Sequence, residues 1–322
     1  MVSVRLVNTI VEAPQGWDVD HGTGRGMAHY VAPDGHIELA YYEVLPGIML
    51  TCIDLACSAL PATNPMGAQL ATINWCSMGR CEVSFGDSGS MVVGERSICL
   101  SSSQAQSFSY PTGRYQGFEY FIDFEQVDDP SWALLASLGL SEDVLRRTLM
   151  PSELGATLAP TGELAEAVAA MERELAMETP RQPWLLLQSL RLFMLLAETD
   201  LATLEVAGSY LRRSQRDMAQ AVYQQLCEQV SPTANLAPLA CRLGVSEASL
   251  RSYFARVYGE SPASFARSRA LAQAAQMLAE TDRPVAEVGS ACGYANPSKF
   301  SAAFKRAYGA NPLEYRRRAR LA

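Results

Sequence analysis

Phe254-Ala255-Arg256-Val257-Tyr258-Gly259, followed by Pro262, Phe265 and Arg267, returns 50 residues later as Phe304-Lys305-Arg306-Ala307-Tyr308-Gly309, followed by Pro312, Tyr315 and Arg317. The shared pattern is F-x-R-x-Y-G-x-x-P-x-x-[FY]-x-R. Each copy has an upstream companion: Leu239-Ala240 with Leu243-Gly244-Val245, and Val288-Gly289 with Cys292-Gly293-Tyr294. A short helix, a glycine turn and a second helix bearing basic residues make a helix-turn-helix, and the repeat means that the unit occurs twice. The pattern predicts two helices that read DNA side by side.

Working outward, the first unit is predicted to run Leu236–Leu243, turn at Gly244-Val245 and restart with Ser246 as N-cap. Its second helix, Glu247–Tyr258, turns Leu250, Phe254 and Val257 inward and leaves Ala248, Ser249, Arg251, Ser252 and Ala255 outside. The second unit runs Val285–Ala291, turns at Gly293 and restarts at Asn296-Pro297, a strong helix-start pair. Phe300, Ala303, Phe304 and Ala307 then point inward, with Ser298, Lys299, Ser301, Ala302 and Lys305 outward. Lys299 and Lys305 are the only lysines in the chain. Phe265–Glu280 is predicted as the linking helix, packing through Leu271, Ala274, Ala275 and Leu278. Sixteen residues span about 24 Å at ~1.5 Å per residue, against ~34 Å between successive major grooves. Arg256, Arg306, Arg316 and Arg317 are the candidates for phosphate contacts.

These residues resemble the AraC/XylS family of bacterial transcription regulators over about residues 234–318. The resemblance rests on the L-A-x-x-L-G-V-S start at Leu239, the N-P-S-x-F-x-x-x-F-K-R-x-Y-G segment at Asn296, and N-P-x-x-Y-R at Asn311. It implies two helix-turn-helix units joined by a helix and, commonly, an N-terminal β-barrel effector domain with a helical dimerisation region. Carried over, the first reader offers Ala248, Ser249, Arg251 and Ser252 to DNA, and the second Ser298, Lys299, Ser301, Ala302 and Lys305. Family members often carry Arg where this chain has Ser252 and Ala302. The partners implied are double-stranded operator DNA, RNA polymerase, a small-molecule effector and a second copy of the chain.

Charge agrees with the reader. The chain of 322 residues carries −8 overall, yet residues 228–322 hold thirteen basic against seven acidic side chains, a net +6 beside −14 for the remainder. A basic module on an acidic body is the asymmetry expected when one end meets phosphates. Eight cysteines form no C-x-x-C or other zinc spacing, and Cys241 and Cys292 read as packing positions within the repeat. No metal or cofactor is called for. Met1–Ile10 lacks the basic start and apolar run of a signal peptide, and Trp184–Ala197 is too short to span a bilayer. A cytoplasmic protein without a membrane partner is expected.

Residues 1–128 read as β-structure. Ile37–Val44, Ile48–Ile53, Leu70–Cys76 and Tyr115–Phe124 mix β-branched and aromatic residues between the turns Pro33-Asp34-Gly35, Pro46-Gly47, Asn64-Pro65, Gly86–Gly89 and Pro111–Gly113. An α+β chain follows: a cupin-like β-barrel or sandwich at 1–128 as effector sensor, a helical linker or dimerisation region at 129–227, and an all-α DNA-binding domain at 228–322. Within the middle region Glu163–Met177 has one apolar stripe, and Trp184–Glu198 reads as a buried helix. Some stretches of the N-terminal half, Tyr42–Leu50 among them, are similar to sensor halves of family members. That likeness implies an effector pocket, with Tyr41, Trp75, Phe118 and Tyr120 as lining and Arg80 or Arg114 to meet an anion.

Catalysis is a poor reading. His21, His29 and His36 are the only histidines and form no His-x-His; Asp87-Ser88-Gly89 lacks the G-x-S-x-G elbow. Two further classes compete with an effector-responsive activator. One is a ligand-binding protein whose terminal helices contact other proteins. The other is a thiol-based redox regulator using Cys76 and Cys81, or Cys52 and Cys57.

Overall fold

The computed structural model describes residues 17–21, 25–59, 70–85, 89–102, 107–151, 155–199 and 210–320. The turns expected at Asn64-Pro65 and Gly86–Ser88 fall outside them. The chain forms two compact units, Met1–Arg213 and Ser214–Ala322.

The first unit is sheet-rich. Its strands are β1 (Trp17–His21), β2 (Arg25–Ala32), β3 (Gly35–Leu45), β4 (Ile48–Ala56), β5 (Leu70–Gly79), β6 (Cys81–Ser84), β7 (Ser90–Val93), β8 (Ser97–Ser102), β9 (Ser107–Ser109), β10 (Tyr115–Asp123), β11 (Ala156–Leu158) and β12 (Tyr210–Leu211). Eight make an antiparallel sheet in the order β1-β2-β3-β4-β10-β5-β8-β11, and four make a second in the order β12-β7-β6-β9. No closed barrel forms among the described residues, which corrects that part of the expectation. Closure needs the edge strands to pair in a consistent stagger. Here β6, β7 and β9 pair with each other instead, and β1 and β11 remain the edges of the larger sheet.

Alternation along the strands gives the large sheet two apolar faces. Leu50, Ile73, Trp75, Leu100, Phe118 and Tyr120 share a core with helices α1 (Asp129–Ser137), α2 (Glu142–Leu149), α3 (Gly162–Leu175) and α4 (Gln182–Glu198), through Leu145, Met171, Leu192 and Phe193. Ile37, Leu55, Cys76 and Tyr115 share the other core with Val83, Met91 and Val93 of the small sheet. Covered on both faces, β5 is buried along nearly its whole length, with the polar Thr72 and Asn74 among its buried residues.

The break between α3 and α4 is braced by Arg181, whose guanidinium reaches Glu174 at 2.5 Å and whose backbone N–H donates to it at 2.8 Å. Helix α4 departs from the buried helix expected. Leu185, Leu192, Phe193 and Leu196 are buried, but Trp184, Leu187 and Met194 remain 43%, 53% and 37% exposed. A helix lying on a sheet can bury only one side; the surplus of apolar residues is left outward. Among the described residues no helix is long and apolar enough to cross a membrane.

The second unit is all helix: α5 (Arg213–Glu228), α6 (Ala237–Leu243), α7 (Glu247–Tyr258), α8 (Pro262–Glu280), α9 (Val285–Ala291), α10 (Pro297–Tyr308) and α11 (Pro312–Ala319). The linking helix α8 starts three residues earlier than expected. Ser261 caps it by accepting from the Ser264 N–H at 3.1 Å, with Pro262 in the first turn. Its 19 residues span about 28 Å at ~1.5 Å per residue. Leu271, Ala274, Ala275 and Leu278 are buried as the spacing predicts.

Candidate nucleic-acid interface

The sequence repeat becomes a repeat in space. Phe254 stacks on Tyr258 at 4.5 Å and meets Phe265 edge-on at 5.5 Å. Phe304 stacks on Tyr308 at 4.7 Å and meets Tyr315 edge-on at 5.3 Å. Each trio pins a helix-turn-helix to the helix that follows it, and such ring pairs add ~0.5–1.5 kcal/mol beyond their burial. The turns match as well. Gly244 and Gly293 adopt φ of +67° and +80°, a region that costs residues with a Cβ. The Val245 and Tyr294 N–H groups then reach back to the carbonyls of Ala240 and Gly289 at 3.1 and 2.9 Å. At Gly289 a Cβ would stand 2.9 Å from the Phe300 ring, so only glycine lets α9 approach α10 this closely.

The reader helices start as their caps dictate. The Ser246 hydroxyl accepts from the Ser249 N–H at 3.1 Å. Asn296 Oδ1 accepts from Ser298 and Lys299 at 2.9 and 3.1 Å. With Leu250, Phe254 and Val257 buried, α7 exposes Ala248, Arg251 and Ser252, while Ser249 and Ala255 are half-buried. With Phe300 and Phe304 buried, α10 exposes Ser298, Lys299, Ala302, Lys305 and Arg306, and Ser301 is half-buried. Ala307, expected inward, is exposed, and Ala303 is half-buried. Only the two rings reach the interior on that side.

Not all the arginines are equally available. Arg251 is paired along α7 with Glu247, one turn earlier. Arg316 donates to the Arg283 carbonyl, and Arg320 reaches Asp282 at 2.7 Å and the Thr281 carbonyl at 2.7 Å. These contacts tie α11 to the loop between α8 and α9, so part of each guanidinium's donor capacity is spent within the chain. Arg317 is exposed and Arg256 half-buried. Cys292 is buried but Cys241 is exposed, against the packing role expected for both. Aligning the two copies explains it: Cys292 matches Leu243, whereas Cys241 matches Ser290.

The six residues expected to line one effector pocket do not converge. Trp75 and Phe118 are cross-strand partners on the helix-covered face, with Tyr120 beside them. The Trp75 Nε1–H donates to Glu172 at 2.8 Å, and the Tyr120 hydroxyl shares a hydrogen bond of 2.8 Å with Ser189. Tyr41 sits in a different row, donating to the Asp20 carbonyl at 3.1 Å. Arg114 is exposed beside the β9–β10 turn, and Arg80 lies against Gly94. Which face of a strand a residue occupies decides this, and both faces here are apolar.

One polar row has no local signature in the sequence. Register places Tyr41, Thr51, Glu119, Asn74 and Cys99 next to one another across β3, β4, β10, β5 and β8. The Tyr115 hydroxyl donates to Asn74 at 2.5 Å. Burial raises the Glu119 carboxyl to about 8, opposed by a hydrogen bond from Asn74. The thiols nearby behave alike: burial raises Cys76 and Cys99 to about 12, and Cys81 well above its ordinary range. The thiolate is the reactive form, so this setting works against a thiol switch at Cys76 and Cys81. Cys52 and Cys57 are also shifted upward by burial. His29 and His36 are exposed, and no group of three His, Cys, Asp or Glu among the described residues is arranged to hold a metal.

Known proteins match the second unit. A family model described as a helix-turn-helix domain covers residues 239–318. The RCS-specific HTH-type transcriptional activator RclR of Escherichia coli K12 is 36% identical over 100 residues, 31% of this chain and 35% of that protein. Regulatory protein SoxS of Escherichia coli K12 is 30% identical over 91 residues, 28% of this chain and 85% of that protein. The solved C-terminal domain of AraT, a response regulator from Geobacillus stearothermophilus, aligns at 27% identity and a TM-score of 0.29, over 33% of this chain and 85% of that one. The chain spans 27 to 35% of the length of the first curated relatives it matches.

Proposed function

The chain belongs to the AraC/XylS family of transcription regulators, and on that premise we propose that it is an effector-responsive activator that binds operator DNA through α7 and α10. The observation that carries this reading is the duplicated aromatic core, which holds two reader helices with polar and basic faces outward. In this reading Ala248, Ser249, Arg251 and Ser252 face one major groove. Ser298, Lys299, Ser301, Ala302 and Lys305 face the next. Arg256, Arg306, Arg316 and Arg317 contact phosphates. Residues 1–128, as a cupin-like ligand holder, sense a small molecule in the cytoplasm; residues 129–227 relay the change and mediate dimerisation; residues 228–322 read DNA and present a surface to RNA polymerase.

Base readers and phosphate contacts separate experimentally. Arg251→Ala and Lys299→Ala should each weaken operator binding by ~1–3 kcal/mol, roughly 5- to 150-fold, with little change on random DNA. Arg317→Ala should weaken both alike and reduce the salt slope by ~1. Gel shifts with operator and random duplexes at several salt concentrations measure this. Equal losses on both duplexes for all three variants would remove the base-reading assignment.

The outward stripe Trp184, Leu187 and Met194 on α4 supports a dimer seam, since an exposed apolar strip of this kind marks an interaction surface. In a two-fold interface each substitution acts twice. Burying one such side chain is worth ~1.5–3 kcal/mol, so Leu187→Glu with Met194→Glu should raise the dimer dissociation constant at least ~100-fold. Sedimentation velocity reads the outcome; an unchanged dimer places the seam elsewhere.

A further inference from the structure

Where β4, β5 and β10 meet the C-terminal end of α3, the sheet-rich unit holds a cleft of about 240 Å³. Its walls include Phe118, Leu175 and Ala176, and its polar groups include Asp54, Glu172 and Ser77. None of the described residues lining it is Lys, Arg or His. Both carboxylates keep an oxygen in reserve. Gln116 donates to Asp54 Oδ2 at 2.9 Å, leaving Oδ1, and Trp75 donates to Glu172 Oε1 at 2.8 Å, leaving Oε2. The Cys52 thiol beside them is pushed upward by burial and stays neutral, so the two carboxylates set the sign of the cleft.

We propose that this cleft binds a small organic cation, an amine or quaternary ammonium on a compact apolar body. The cationic head sits between Asp54 and Glu172, where a hydrogen bond to a charged partner is stronger than a neutral one. The apolar body lies against Leu175 and Ala176, with Phe118 in the wall behind. The volume lies below the ~300 Å³ at which drug-sized pockets begin, which restricts the occupant to about the size of a phenylalkylamine. An anion is disfavoured by both carboxylates. The site differs from the pocket expected from sequence and shares with it only Phe118. It rests on the effector-responsive reading only for what occupancy would do: α3 forms one wall, so a ligand there bears on the α3–α4 pair that carries the outward apolar stripe.

The test uses the full chain and three probes of similar size: phenethylammonium, neutral 2-phenylethanol and anionic phenylacetate. Isothermal titration calorimetry should show the cation binding at least ~10-fold more tightly than the alcohol, with no binding of the anion. Asp54→Asn and Glu172→Gln should each weaken the cation at least ~10-fold. Gln at 172 keeps an acceptor for Trp75, so a loss there reports charge rather than misfolding, and an unchanged melting curve checks this. Equal affinity for cation and alcohol, or full affinity in Asp54→Asn, overturns the proposal. Operator gel shifts without amine report DNA reading separately. An amine that binds as described yet leaves operator affinity unchanged supports the site and removes only the effector role.

Discussion

Phe304→Ala is expected to unfold the second reader and abolish operator binding. The ring is fully buried and touches Phe300, Tyr308 and Tyr315 at centroid distances of 5.7, 4.7 and 5.3 Å. Removing such a ring from a packed core costs ~3–5 kcal/mol, a large share of the ~5–15 kcal/mol that holds a typical domain together. Phe254→Ala should act likewise on the first reader through Tyr258 and Phe265. Hydrogen exchange read peptide by peptide shows whether α9–α11 lose protection first in Phe304→Ala and α6–α8 in Phe254→Ala. Protection within ~1 kcal/mol of the parent in both variants would mean that the aromatic trios are not what pins the readers.

The second large effect concerns pH and the sheet-rich unit. Burial raises the Glu119 carboxyl from 4.5 to about 8, so the folded chain keeps its proton over a range in which the unfolded chain has lost it. The unfolded state therefore binds fewer protons, and stability falls as pH rises. The loss begins near the ordinary carboxylate value, continues to about 8 and then levels off, since both states are ionised above that point. Each pH step of one across this window removes ~1.4 kcal/mol, for a total on the order of 5 kcal/mol. Glu119→Gln, uncharged at every pH, should flatten the profile between pH 5 and 8 and leave the variant several kcal/mol more stable than the parent at pH 8. Urea unfolding followed by Trp fluorescence across that range gives the comparison. A parent whose stability rises with pH through this window contradicts the assignment.

The reader was legible because its information is local. Caps at Ser246 and Asn296, turns at Gly244 and Gly293, and inward side chains at Leu250, Phe254, Phe300 and Phe304 all fall within helical spacing of one another. The start expected for α8 at Phe265 missed a local signal, the Ser261-Pro262 cap, which is the counterpart of Asn311-Pro312 in the second copy. The sheet was different. Its central strand β10 pairs with β4 and β5, which lie far from it in the chain, and no local pattern specifies such a partner. The outward stripe of α4 escaped for a related reason. Trp184–Glu198 is apolar on most sides, so periodicity could not say which side the sheet would cover.

By itself the amino-acid sequence determined that this chain carries a duplicated helix-turn-helix with a basic surplus, because helix caps, glycine turns and i to i+4 ring spacing act over a few residues. Only the tertiary structure decided that the N-terminal strands form two separate sheets, that Trp75 and Phe118 lie on the face away from Glu119, and that a carboxylate-rimmed cleft opens beside α3. Those outcomes depend on strand register and on which of two apolar faces meets the helices. Both faces exclude water about equally well, so composition and alternation leave the choice to long-range packing.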